Sequence, residues 1–212
     1  MPSGQRIERN NHMRRVAVTG GAGTGKSLVC RFFGEMGAKI IDLDRLAREV
    51  VSPQSPAFDA IVAHFGGKVI DSDGNLDRGR LRRMITRDAG AKEKLEEITH
   101  PEIFRRLEDE LEAISATCPD AVVVVEVPLL VETGAQDRFD VVVVVEADEE
   151  SQKRRIMSRD GCSFQDAQDL VAAQASPQDR RRFADYLIEN VDGSETLRRR
   201  VGEVYRQISA AS

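Results

Sequence analysis

The strongest chemical signal in this sequence is the octet Gly20-Gly21-Ala22-Gly23-Thr24-Gly25-Lys26-Ser27. Its spacing is G-x-x-x-x-G-K-[ST], the pattern of a phosphate-binding loop. The chemistry needs these residue types. Glycines let successive backbone N–H groups turn toward phosphate oxygens through conformations that a β-carbon resists. The lysine reaches the terminal phosphates, and the serine hydroxyl is placed to ligate Mg²⁺. A helix that starts where the loop ends points its positive end at the same anion. Gly21, Ala22, Gly23, Thr24, Gly25, Lys26, Ser27 and Leu28 are therefore the expected nucleotide-binding segment, and the ligand is a nucleoside triphosphate.

Other residues are placed to act on that triphosphate. Residues 38–42 read as a short strand that runs into Asp42-Leu43-Asp44. Carboxyl ends of parallel strands face the ligand crevice, and alternation along an extended strand puts both aspartates on one side. Asp44, farther out at the strand mouth, is the better functional candidate of the two; the alternative that one of the pair only caps the following helix stays open. Arg48 is four residues on, in a helix expected over 45–51, and joins Asp44 on the acceptor side. Glu126 closes the valine run 121–125, where a carboxylate holds Mg²⁺ together with Ser27, often through water. Pro128 and Leu129 lie in an apolar loop suited to lining the acceptor pocket. His100, before Pro101, is carried as an acceptor-side candidate against the commoner reading of a capping or core histidine. Arg155 and Arg159 are i and i+4 on one helix face, as a phosphoryl-transfer lid requires. Asn190 ends a last short strand, at the place where an amide meets a nucleobase.

The elements that must hold these residues are legible as periodicity. Strands are expected at 15–19, 38–42, 121–126 and 141–146, separated by helical material, with a final short strand over 184–190. Unbroken valine is what a strand buried on both faces requires. The pattern predicts a parallel, three-layer α/β fold. Its core spans 13–51 and 102–212, with a lid at about 150–180. Residues 52–101 open at a proline-marked break, contain no core strand and read as a helical insertion. Its helices are expected at 58–65, 78–87 and 92–98, the last broken by His100-Pro101. The arginines at 78, 80, 82, 83 and 87 read mostly as a solvated face.

Composition excludes several classes. With 41% apolar and 32% charged residues in 212, the chain is a soluble globular one. A net charge of −5 argues against nucleic acid as a partner. The most apolar run, 121–131, holds Glu126 and Pro128 and is too short to span a bilayer. Cys30, Cys118 and Cys162 are an odd, widely spaced set without zinc spacing, as expected of free thiols in the cytoplasm. Residues 1–12 are polar and aperiodic and read as a disordered leader or a cloning remnant, with Met13 as the native start.

Taken in order, GGAGTGKS, IDLDRLAREV, HFGGKVIDSDGNLDRGRLRRMI, ITHPEI, VPLLVE, QKRRIMSRD and ADYLIEN resemble the dephospho-CoA kinase family over residues 13–212. Many families share the loop; the Asp-x-Asp, HP and PLL-x-E segments are far more specific. The resemblance implies a P-loop NTPase core, a helical CoA-binding domain and a mobile lid. It implies transfer of the γ-phosphate of ATP, with Mg²⁺, to the ribose 3′-hydroxyl of dephospho-CoA, the last step of coenzyme A synthesis. Asp44, Lys26 and Arg155 then form the catalytic set, with Arg155 and Arg159 on ATP and Asn190 on the adenine side. Leu28 departs from the family, which often has threonine there; the chemistry above does not need that side chain. A kinase for another small acceptor, such as a nucleoside or nucleoside monophosphate, is the alternative. A monomer or weak homo-oligomer is expected.

Overall fold

The structure, a computed structural model, describes residues 13–210. The leader read at 1–12 lies outside the described residues. Five strands form one parallel sheet: β1 (Arg14–Gly20), β2 (Lys39–Asp42), β3 (Val122–Glu126), β4 (Val141–Glu146) and β5 (Tyr186–Glu189), in the order β2-β3-β1-β4-β5. The helices are α1 (Lys26–Glu35), α2 (Leu43–Glu49), α3 (Pro56–Phe65), α4 (Arg78–Arg87), α5 (Ala89–Thr117), α6 (Glu149–Asp160), α7 (Phe164–Ala172), α8 (Pro177–Arg181) and α9 (Ser194–Ala210). Among the described residues no helix is long and apolar enough to cross a membrane.

The chain divides into two compact units. One holds the described residues up to Asp42 and from Ile114 onward; the other is Leu43–Ala113. In the first, β1, β3 and β4 form the centre of the sheet. Val16, Ala17, Val18, Val124, Val143 and Val144 are wholly buried, so both faces of these strands are covered. That is why small and β-branched residues run there without alternation. On one face Phe32 and Phe33 of α1 and Leu197, Val201 and Ile208 of α9 pack on Val16, Val18, Val124 and Val145.

The second unit has its own core of Phe58, Ile61, Phe65, Val69, Leu76 and Leu81. Ser55 caps α3, accepting from the Phe58 N–H at 3.1 Å, with Pro56 in the first turn where no N–H is needed. Asp71 makes the turn over 71–75, its Oδ1 accepting from the N–H groups of Asp73 and Asn75. The unit is wider than the 52–101 span because α2 and α5 as far as Ala113 belong to it. Val51, just past α2, packs on its core, and Arg45 is bidentate to Glu110 at 2.9 Å.

Two sequence readings are corrected. β2 stops at Asp42 and α2 begins at Leu43, so strand alternation does not carry Asp44 onto the side of Asp42. Asp44 instead sits in the first helical turn, where its charge opposes the helix dipole favourably. The second correction is at His100-Pro101, which does not end a helix: α5 runs through it. Proline there removes one hydrogen bond and costs about 3 kcal/mol or more. The rungs on both sides, and the burial of Leu107 and Leu111 beyond it, outweigh that loss.

The arm between β4 and β5 is built from three capped helices. Asp148 caps α6, Ser163 and Asp166 form a reciprocal capping box on α7, and Ser176 caps α8.

Candidate active site

The loop between β1 and α1 is held from outside by two side chains. Arg155 of α6 donates from Nη1 to the carbonyls of Gly23 (3.1 Å) and Thr24 (3.2 Å), and from Nη2 to that of Asn190 (3.2 Å). The Asn190 amide, buried after β5, donates to the Thr24 carbonyl at 2.7 Å. Donors from outside the loop thus satisfy its outward carbonyls at Gly23 and Thr24. Gly25 adopts φ 97°, and a β-carbon there would collide with the Asn190 amide. Side-chain-free backbone is required at that point for the clamp to close. Thr24 ties the turn together, its hydroxyl donating to the Gly21 carbonyl at 2.9 Å. Lys26 folds back over the loop, its Nζ donating to the carbonyls of Gly20 and Gly21 at 3.0 Å each. Leu28 enters the helix, with its N–H on the Gly25 carbonyl at 3.1 Å.

At the other end of the loop the Ser27 hydroxyl donates to Glu126 Oε1 at 2.8 Å. Asp42 stands opposite Glu126 in the β2–β3 register, so two carboxylates and a hydroxyl end side by side. Cys30, one turn past Ser27, is pushed well above its ordinary value, first by burial and next by Glu126, to which it donates. It stays a thiol, so the donors facing this corner are oxygens. Among the described residues no group of three His, Cys, Asp or Glu side chains could enclose a metal. That composition fits Mg²⁺, which takes one or two carboxylates and completes its shell with phosphates and water. Ser27 and Glu126 are the residues that would hold it, with Asp42 beside them.

The remaining candidates fall in separate places. Arg159 is bidentate to its neighbour Asp160 at 2.7 Å and does not share the partners of Arg155. Pro128 and Leu129 lie in the turn after β3, with Leu129 46% exposed. Asp44 and Arg48 share one face of α2, and His100 lies edge-on to Phe104 at 6.3 Å, both within the second unit. Three residues that sequence reasoning passed over crowd the start of the loop. Gln174 Oε1 accepts from the Ala22 N–H at 2.7 Å. Gln152 and Arg180, both buried, point their head groups at Gly21. Two are uncharged amides and the third stands in the run Arg180-Arg181-Arg182, which reads as a solvated surface; only burial distinguishes it.

A glycine loop clamped between a buried parallel strand and a helix, with a serine–carboxylate pair at its mouth, defines a P-loop kinase. The dephospho-CoA kinase family model matches residues 14–196, and the chain belongs to that family. It is 43% identical to a dephospho-CoA kinase of Streptomyces avermitilis over 92% of this chain and 94% of the relative. The dephospho-CoA kinase of Syntrophus aciditrophicus is 38% identical over 98% and 88%. A crystal structure from Thermus thermophilus superposes with a TM-score of 0.79 at 29% identity, covering 94% of this chain and 98% of the other. Dephospho-CoA kinase from Campylobacter jejuni gives 0.70 at 25% identity with the same coverage.

Proposed function

We propose that this chain phosphorylates the ribose 3′-hydroxyl of dephospho-CoA with ATP, giving coenzyme A and ADP in the cytoplasm. The observation that carries the reading is the clamped loop with Lys26 folded over it and the Ser27–Glu126 pair at 2.8 Å, in a chain of this family. Lys26 turns from the Gly20 and Gly21 carbonyls to the terminal phosphates when ATP fills the loop. Ser27 and Glu126 would hold Mg²⁺, which would supply positive charge to the triphosphate. Arg155 keeps the loop N–H groups turned inward, and Asn190 fixes the same stretch from the adenine side.

The reaction makes one bond and breaks one. The acceptor's 3′-oxygen attacks the γ-phosphorus in line, and the bond to the β–γ bridging oxygen breaks with its electron pair leaving on ADP. The 3′-hydroxyl proton passes to the carboxylate of Asp44. Arg48, His100, Pro128 and Leu129 are the residues proposed for the acceptor. The arm of α6 to α8 acts as the lid that excludes water, so that ATP is not hydrolysed.

A coupled ADP-release assay with a panel of acceptors tests this. Turnover with dephospho-CoA at least a hundredfold above adenosine, AMP and water is the expected result. Equal or better turnover with a nucleoside or nucleoside monophosphate would overturn the choice of acceptor.

A further inference from the structure

The arm carries a cation that nothing around it neutralises at contact distance. Arg180 is only 7% exposed, and among the described residues its guanidinium makes no hydrogen bond or ion pair. Two carboxylates act on it from farther off, and both are engaged elsewhere. Glu146 is bidentate to Arg181 at 2.6 and 2.8 Å, and Glu132 Oε1 accepts from the Ala175 N–H at 2.9 Å. Burial pulls the Arg180 guanidinium below its ordinary value, as expected of a desolvated charge without a counterion. An unpaired buried charge costs several kcal/mol, roughly, and a fold retains one where a ligand completes the pairing.

The surroundings say which ligand. Arg180 lines a cavity of about 440 Å³ together with Gly21, Gln152 and Gln174. Its Nη1 stands 3.2 Å from the point a β-carbon on Gly21 would occupy. The Lys26 ammonium sits 3.0 Å from the carbonyl of the same glycine. The next N–H, that of Ala22, donates to the amide oxygen of Gln174. Two cations and one backbone donor therefore converge on a single dipeptide at the start of the loop, and a neutral oxygen holds the backbone donor. The matching ligand is a tetrahedral oxyanion with at least two free oxygens.

We infer that Arg180 is a catalytic residue that meets the terminal phosphoryl group of ATP, and that Gln174 yields the Ala22 N–H to a phosphate oxygen as it does so. The guanidinium makes and breaks no covalent bond. It donates N–H groups to non-bridging oxygens while charge spreads over them during transfer. This rests on the kinase reading above.

The test separates the two. Calorimetry measures the affinity of the whole protein for ADP and for a non-hydrolysable ATP analogue, and steady-state assays measure kcat. In Arg180→Gln, ADP affinity should stay within about twofold, analogue affinity fall at least about tenfold, and kcat fall about 10³-fold. Arg180→Lys keeps the buried cation should the glutamine variant fail to fold. It should also weaken analogue over ADP, because an ammonium does not reproduce the planar fork. Equal losses for ADP and analogue would make Arg180 a structural prop and overturn the inference, and so would equal retention. A parent protein that binds neither nucleotide would instead sink the kinase reading.

Discussion

Lys26 spends its ammonium on two carbonyl oxygens of its own loop, an arrangement that holds the cation in place without cancelling its charge. Removing it takes away the loop's own cation. Lys26→Ala should weaken ATP binding about 10–100-fold, the range for losing charge-assisted hydrogen bonds, and lower kcat with it. Calorimetry with ATP and a steady-state assay check both, and a variant that binds ATP like the parent would undo the loop assignment. Asp44 is argued differently, because its proposed work is proton acceptance and not nucleotide binding. Asp44→Asn should leave ATP affinity unchanged while kcat falls about 10²–10⁴-fold. Preserved turnover would remove Asp44 from the role.

The helices of the arm show what charge does to an element. Asp148, Asp166 and Asp179 are each held below the ordinary aspartate value of 3.8. The first cause is a hydrogen bond in each case: from the Ser151 backbone to Asp148, from the Ser163 side chain to Asp166 and from the Ser176 side chain to Asp179. A carboxyl that binds its proton more weakly folded than unfolded contributes stability above the unfolded value and loses it as pH falls through the folded one. Acidification from pH 5 to below 3.8 should therefore loosen α6, α7 and α8 ahead of the buried valines of the sheet. Hydrogen exchange along an acid series reads this, and uniform loss of protection across arm and sheet would refute it. The same contrast explains what the sequence disclosed. The valine strands, the loop and the Ser163–Asp166 box depend on neighbours in sequence, so pattern reveals them. The passage of α5 through Pro101 is set by tertiary packing, and Asp44 is helical because β2 ends at Asp42, two residues before it, and α2 begins at Leu43. Arg180 carries no local mark either: it is one of three consecutive arginines, and burial alone sets it apart.

At the scale of the molecule, the described chain divides into two units with separate cores. The first holds the loop, α1 and the arm; the second holds Asp44, Arg48 and His100, and the core of Phe58, Ile61 and Phe65. A ligand that binds only the native first unit stabilises it by mass action, by about 2.7 kcal/mol at a hundredfold excess over Kd. Mg²⁺ and ATP should therefore raise the unfolding midpoint and slow hydrogen exchange in residues 20–35 and 149–181. Amides of α3 and α4 should gain protection only when dephospho-CoA is added. At the same ATP concentration Lys26→Ala should cut the first effect to about 0.4–1.4 kcal/mol, because the gain depends on affinity and not on the fold. If ATP alone protects α3 and α4 as strongly as α1, the second unit does not serve the acceptor, and the assignment of Arg48 and His100 falls with it.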